Sequence, residues 1–119
     1  MRSYKTLIVW QRAHKLVLEV YKTTDSFPVS ERYGLTSQIR RAAVSIPANI
    51  AEGCSRGTDL DTAHFFQIGL GSAAELSYEL LLARDLGFMS DDSYQSMVSE
   101  VEEISRMLNT LAKQFRGNG

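Results

Sequence analysis

Glu52 is the side chain best suited by type and position to carry chemistry. It closes the run Asn49-Ile50-Ala51-Glu52-Gly53, where a carboxylate faces the negative end of a helix dipole and needs a donor. Arg41 and Arg56 are the candidate donors, from the same chain or from another subunit. Such a carboxylate is either a general base or one half of an ion pair that fixes helix register. Base chemistry needs a nucleophile or a second acid, and neither accompanies Glu52, so no catalytic residue is assigned and no enzyme is expected. Asp61-x-x-His64 has the spacing of one carboxylate–histidine element of a di-iron bundle. Such a site needs two of these elements plus two further acids, so no metal is expected. Gly69-Leu70-Gly71-Ser72-Ala73-Ala74 matches G-x-G-x-x-A, but no strand precedes it, as a dinucleotide site would require. Its glycines are instead expected to admit a neighbouring helix. Cys54 reads as an inert thiol beside a helix end and His14 as a rim histidine, and no cofactor is expected.

The basic side chains offer the other chemistry. Arg12, Lys15 and Lys22 share one face of the first helix with Glu19, and Arg2, Lys5, Arg40, Arg41 and Arg56 add to the count. Residues 1–60 carry nine Lys/Arg against five Asp/Glu, a balance of +4; residues 61–119 carry four against nine, a balance of −5. The sum is the net −1 of the whole chain. This asymmetry means either a basic face for phosphates or basic helices paired with acidic ones inside the fold. On the first reading Arg12, Lys15, Lys22, Arg40 and Arg56 are the nucleic-acid-binding candidates.

The elements that position these groups are helices. Apolar residues recur at helical spacing in four segments, about 6–24, 36–53, 59–86 and 90–116. The first carries Val9, Trp10, Ala13, Leu16, Val17 and Val20; the second Ile39, Ala43, Ile46 and Ile50. The third carries Phe66, Gly69, Ala73, Leu76, Leu80 and Ala83, and the fourth Tyr94, Met97, Val101, Ile104, Leu108, Leu111 and Phe115. Ser30–Gly34 reads as one short turn. Thr36, Thr58 or Asp59, and Ser90 are the expected N-caps, and Gly53 and Gly87 the helix ends. Pro47 falls inside the second segment, yet the Ile46–Ile50 stripe stays in phase across it, so one kinked helix is expected rather than two.

Opposite that stripe lies a polar line, Arg41, Ser45, Asn49 and Glu52, flanked by the small residues Val44, Ala48 and Ala51. It predicts a second helix packed closely over a buried hydrogen-bonded network. The third segment has a further apolar stripe, Leu70, Ala74 and Leu81, beyond what a monomer needs, so a homo-oligomer with these residues at its contact is expected. Four long helices with short loops make an antiparallel up-down four-helix bundle the economical all-α fold for one domain over residues 1–119. Hydrophobic content of 44% and charged content of 23% fit a globular domain. The lone Cys54 points to a reducing cytoplasm. The first ten residues lack a signal-peptide apolar run and no window reaches membrane-span length, so no membrane association is expected.

Val9-Trp10-Gln11, Phe27-Pro28, Glu31-Arg32-Tyr33-Gly34-Leu35, Gln38-Ile39-Arg40-Arg41-Ala42-Ala43, Ser45-Ile46-Pro47-Ala48-Asn49-Ile50-Ala51-Glu52-Gly53 and Gly71-Ser72-Ala73-Ala74-Glu75-Leu76 occur in that order. Together they resemble the bacterial 23S rRNA intervening-sequence protein family, over about Tyr4 to Phe88. The resemblance implies a left-handed up-down bundle, a ring-shaped homopentamer, and kinship with the accessory proteins of diversity-generating retroelements. It also implies that Arg41, Asn49, Glu52 and Glu75 belong to a structural polar network, with Ser45 on the same line. Gly69 stands where the family pattern has alanine. The expected function is a non-enzymatic nucleic-acid or ribonucleoprotein accessory module with RNA or DNA as partner. The alternative is a protein–protein scaffold that binds no nucleic acid.

Overall fold

The computed structural model describes residues 3–117; Arg2 and the last two residues lie outside it. Four α-helices follow in order: α1 (Ile8–Thr24), α2 (Leu35–Cys54), α3 (Asp59–Asp85) and α4 (Asp91–Phe115). Short 3-10 turns at Tyr4–Thr6 and Val29–Glu31 lead into α1 and α2, and there is no strand among the described residues. Helix α1 packs on α2 and α4, and α3 packs on the same two, so the four helices enclose one core. A 27-residue helix is about 40 Å long, and α3 accounts for the long axis of a body measuring 44 × 21 × 20 Å.

The core is made of the stripes expected from periodicity. Ala13 and Val20 of α1, Ile39, Ala43, Ile46 and Ile50 of α2, and Phe66, Ala73 and Leu76 of α3 are fully enclosed, with Ile104 and Leu108 of α4. Each buried large aliphatic contributes about 1.5–3 kcal/mol against solvation. Helix ends fall within a residue or two of expectation, and the caps explain where. Thr58 Oγ1 accepts from Asp61 N and Ser90 Oγ from Ser93 N. At the close of α3, Gly87 has φ +81°, Phe88 N–H donates to Ala83 O and Gly87 N–H to Arg84 O, the pairing that ends a helix in a left-handed residue.

Helix α2 starts differently from expectation. Thr36 is not its N-cap; it is the second helical residue, buried, and its hydroxyl has no hydrogen-bond partner. Glu31, carried by the preceding turn, supplies the cap instead, Leu35 N–H donating to its Oε1 at 3.0 Å. A Cβ on Gly34 would lie 2.9 Å from that oxygen, so glycine is what lets the carboxylate reach over. The helix then runs unbroken through Pro47 to Cys54. Gly53 does not end it. A Cβ there would meet the Phe66 ring at 2.9 Å and Thr62 O at 3.1 Å, so glycine is what lets α2 and α3 come close at this position.

The glycines of α3 separate likewise. Gly69 lies against Asn49 and Ile46 of α2 and Leu108 of α4, whereas Gly71 has open space around it, so only the first admits a neighbouring helix. Gly53→Ala should therefore lower stability by about 1–3 kcal/mol through overpacking, and Gly71→Ala should raise it by about 0.5–1 kcal/mol through helix propensity. Urea denaturation of both variants checks this, and shifts of the same sign would refute the assignment.

Candidate interaction surfaces

Three arrangements bring functional side chains together. The first is the seam between α2 and α3. The hydroxyls of Ser45 and Ser72 share a hydrogen bond of 2.7 Å, and Asn49 Nδ2 donates to Ser45 O and Ser45 Oγ at 2.8 and 2.9 Å. At one end of the seam, Thr62 Oγ1 donates to Gly53 O at 2.8 Å in a fully buried bond. Of the expected network, Ser45 and Asn49 thus hydrogen-bond to each other, and Ser45 meets Ser72 of α3.

The other expected members go elsewhere. Glu52 pairs with Arg56 one turn on in its own chain, while Arg41 makes no hydrogen bond or ion pair among the described residues. Glu75 lines a groove of about 450 Å³ with Gln38, Arg41, Ala42, Ser45 and Ser72. One turn further, Glu79 is only 4% exposed, and its Oε1 has no hydrogen-bond partner. Burial first, then the charge of Glu75 and a hydrogen bond with its side chain, push Glu79 from the ordinary 4.5 up to about 7. Sequence periodicity hides Glu79, because a carboxylate between Leu76 and Leu80 reads as an exposed interruption. Its available signal was its place one residue before Leu80 on an otherwise apolar stretch.

The second arrangement is the groove between α1 and α4, about 650 Å³ in volume, floored by Leu16 and Met97. Its rim holds Arg12 and Lys15 against Glu19, Asp92 and Glu100, two cations against three carboxylates. Arg12 grips Glu100 through both ends of its guanidinium, Nη2 at 2.7 Å and Nε at 3.0 Å, and that hydrogen bond raises the arginine pKa further. Arg12 of basic α1 is therefore neutralised by acidic α4 across the groove. Of the other expected nucleic-acid contacts, Arg40 donates to Thr24 Oγ1 at 2.8 Å and to Tyr21 O at the end of α1, stacked over the Tyr21 ring. Arg56 is held by Glu52 and lies over Phe65. Lys15 and Lys22 alone of the five have neither a hydrogen-bond nor an ion-pair partner among the described residues, and Arg40 has hydrogen bonds but no ion pair.

The third is the outer surface. Leu70, expected at a subunit contact, packs against its own core; Leu81 is half-buried and Ala74 exposed. Beside α2, an apolar groove is lined by Tyr4, Trp10, His14, Val17, Val44, Pro47, Ala48 and Ala51, with the Trp10 and His14 rings stacked 5.1 Å apart. Among the described residues no three His, Cys, Asp or Glu side chains could hold a metal together, and no helix is long and apolar enough to cross a membrane.

These features define an all-α helical bundle whose polar groups serve packing and pairing. Residues 5–110 match the model of the 23S rRNA-intervening sequence protein family, and the chain belongs to that family. Its fold is similar to that of a solved protein of unknown function from the S23 ribosomal protein family of Bacteroides thetaiotaomicron. The two share a TM-score of 0.79 and 25% identity over 89% of this chain and 99% of that one. No curated protein matches.

The raised Glu79 value fixes a pH dependence. The fold favours the protonated form, so this contribution to stability is complete below about pH 4.5, is lost as pH rises to about 7, and is level beyond. The change is on the order of 3 kcal/mol. Melting temperature should fall between about pH 5 and pH 8, and Glu79→Gln should flatten the profile. An unchanged profile in that variant would show that another group sets it.

Proposed function

We propose that this protein is a non-enzymatic, homo-oligomeric scaffold of the cytoplasm, built to bind protein rather than nucleic acid. The observation that supports it is the α1–α4 groove, where two of the expected phosphate-binding cations, Arg12 and Lys15, meet three carboxylates. A cation already neutralised by Glu100 adds no net field towards a phosphate, and phosphate binding rests on net neutralisation. The bundle is antiparallel and up-down, as supported by the order of contacts from Gly53 on Phe66, through Asn49 on Gly69, to Ser45 on Ser72. A left-handed twist and a ring of five complete the reading by family resemblance, and a kink follows from Pro47 inside α2, with the exposed Ala74 beside Leu70 and Leu81 as one subunit contact.

A second reading, a ribonucleoprotein accessory related to those of diversity-generating retroelements, is favoured by the rRNA link in the family name and by unpaired Lys15 and Lys22. Fluorescence anisotropy with structured RNA and duplex DNA separates the two. The scaffold reading expects no binding at low salt. Binding that weakens steeply with salt and is lost in the Lys15→Glu, Lys22→Glu double variant would replace it with the second.

A further inference from the structure

The exposed residues of α2 are Gln38, Arg41, Val44, Ala48 and Glu52, spaced by threes and fours along one outward stripe. The stripe has a polarity. Arg41, with no partner in its own chain, lies towards the N-terminal end, Glu52 towards the C-terminal end, and Val44 and Ala48 between them. Glu52 is held by Arg56 and, at a long 3.5 Å, by the Ser55 hydroxyl; both side chains of the ion pair are more than 40% exposed, so that surface pair exchanges readily for another.

A stripe with a cation at one end and an anion at the other complements itself only when reversed. In a parallel, in-register pair of such helices, Arg41 would meet Arg41. In an antiparallel pair, the roughly 16 Å between Arg41 and Glu52 runs in opposite directions, and each cation meets an anion. The midpoint between Arg41 and Glu52 falls at Ile46–Pro47, flanked by Ser45 and Ala48, side chains short enough for axes about 8–10 Å apart. The same rotation lays the exposed apolar groove of Trp10, His14, Val44 and Ala48 against its own copy, removing both from water.

We propose that α2 is a self-docking face: a second copy of this chain packs its α2 antiparallel across it, with Arg41 against Glu52 of the partner subunit in both directions. The contact is twofold and self-complementary, distinct from a ring contact, and joins two chains or two rings. It deepens the scaffold reading above and rests on it.

Light scattering at micromolar concentration on the full chain tests the contact, with far-UV circular dichroism to verify the fold of each variant. Arg41→Glu alone and Glu52→Arg alone should each halve the wild-type mass, because each places like charges together at both ends of the contact. Mixing these two variants should restore the mass, since every facing pair is then opposite in sign, and the double variant should restore it by itself. Folded single variants that keep the wild-type mass overturn the α2 contact and leave the scaffold reading standing. Single variants that lose mass but do not recover on mixing overturn the Arg41–Glu52 pairing. A wild-type monomer overturns both the contact and the oligomeric reading.

Discussion

The close approach of α2 and α3 sets the geometry on which the rest of the molecule depends. Gly53 and Gly69 remove the side chains that would hold the two helices apart, and Phe66 and Asn49 fill the space so released. At that spacing, Thr62 can reach the carbonyl of Gly53, and Ser45 can reach Ser72. Buried polar atoms need such partners, because each one left unpaired costs roughly 1–3 kcal/mol. The seam combines apolar packing with a short line of hydrogen bonds, and the line defines which residues of the two helices meet.

The packing of α3 also has an electrostatic consequence. Glu79 lies on the side of α3 that the fold covers, with Glu75 one turn away, and its charged form is disfavoured. On the opposite side of the bundle the charges are resolved by pairing. Arg12 crosses from α1 to Glu100 of α4, and Arg84 joins the end of α3 to Asp91 at the start of α4. Of these pairs, Arg12–Glu100 joins the basic first half of the chain to the acidic second half. Such exposed pairs add little stability individually, but they decide how much net charge a surface presents to a partner.

Residues outside these pairings define the surfaces available for recognition. Helix α2 contributes two faces of different character, an apolar groove towards α1 and a polar groove towards α3, and an exposed stripe from Gln38 to Glu52. A helix of this kind in the second position of a bundle can seal the core with one side and offer an interface with the other.

The sequence by itself determined the four helices, their core stripes and most of their ends. Periodicity reports which side of a helix is apolar, and Ser90, Thr58 and Gly87 mark ends through local hydrogen bonding that needs no tertiary partner. It also determined that Ser45 and Asn49 form a packed polar line, since small neighbours leave room for another helix. Tertiary structure alone decided which groups answer them. Glu31 rather than Thr36 caps α2, because a turn folds back past Gly34. Arg12 is drawn to Glu100, 88 residues away, and Glu79 is buried when the helices pack. Helical periodicity fixes the angle of a residue around its own axis; which helix stands at that angle, and at what height, is set only when all four pack.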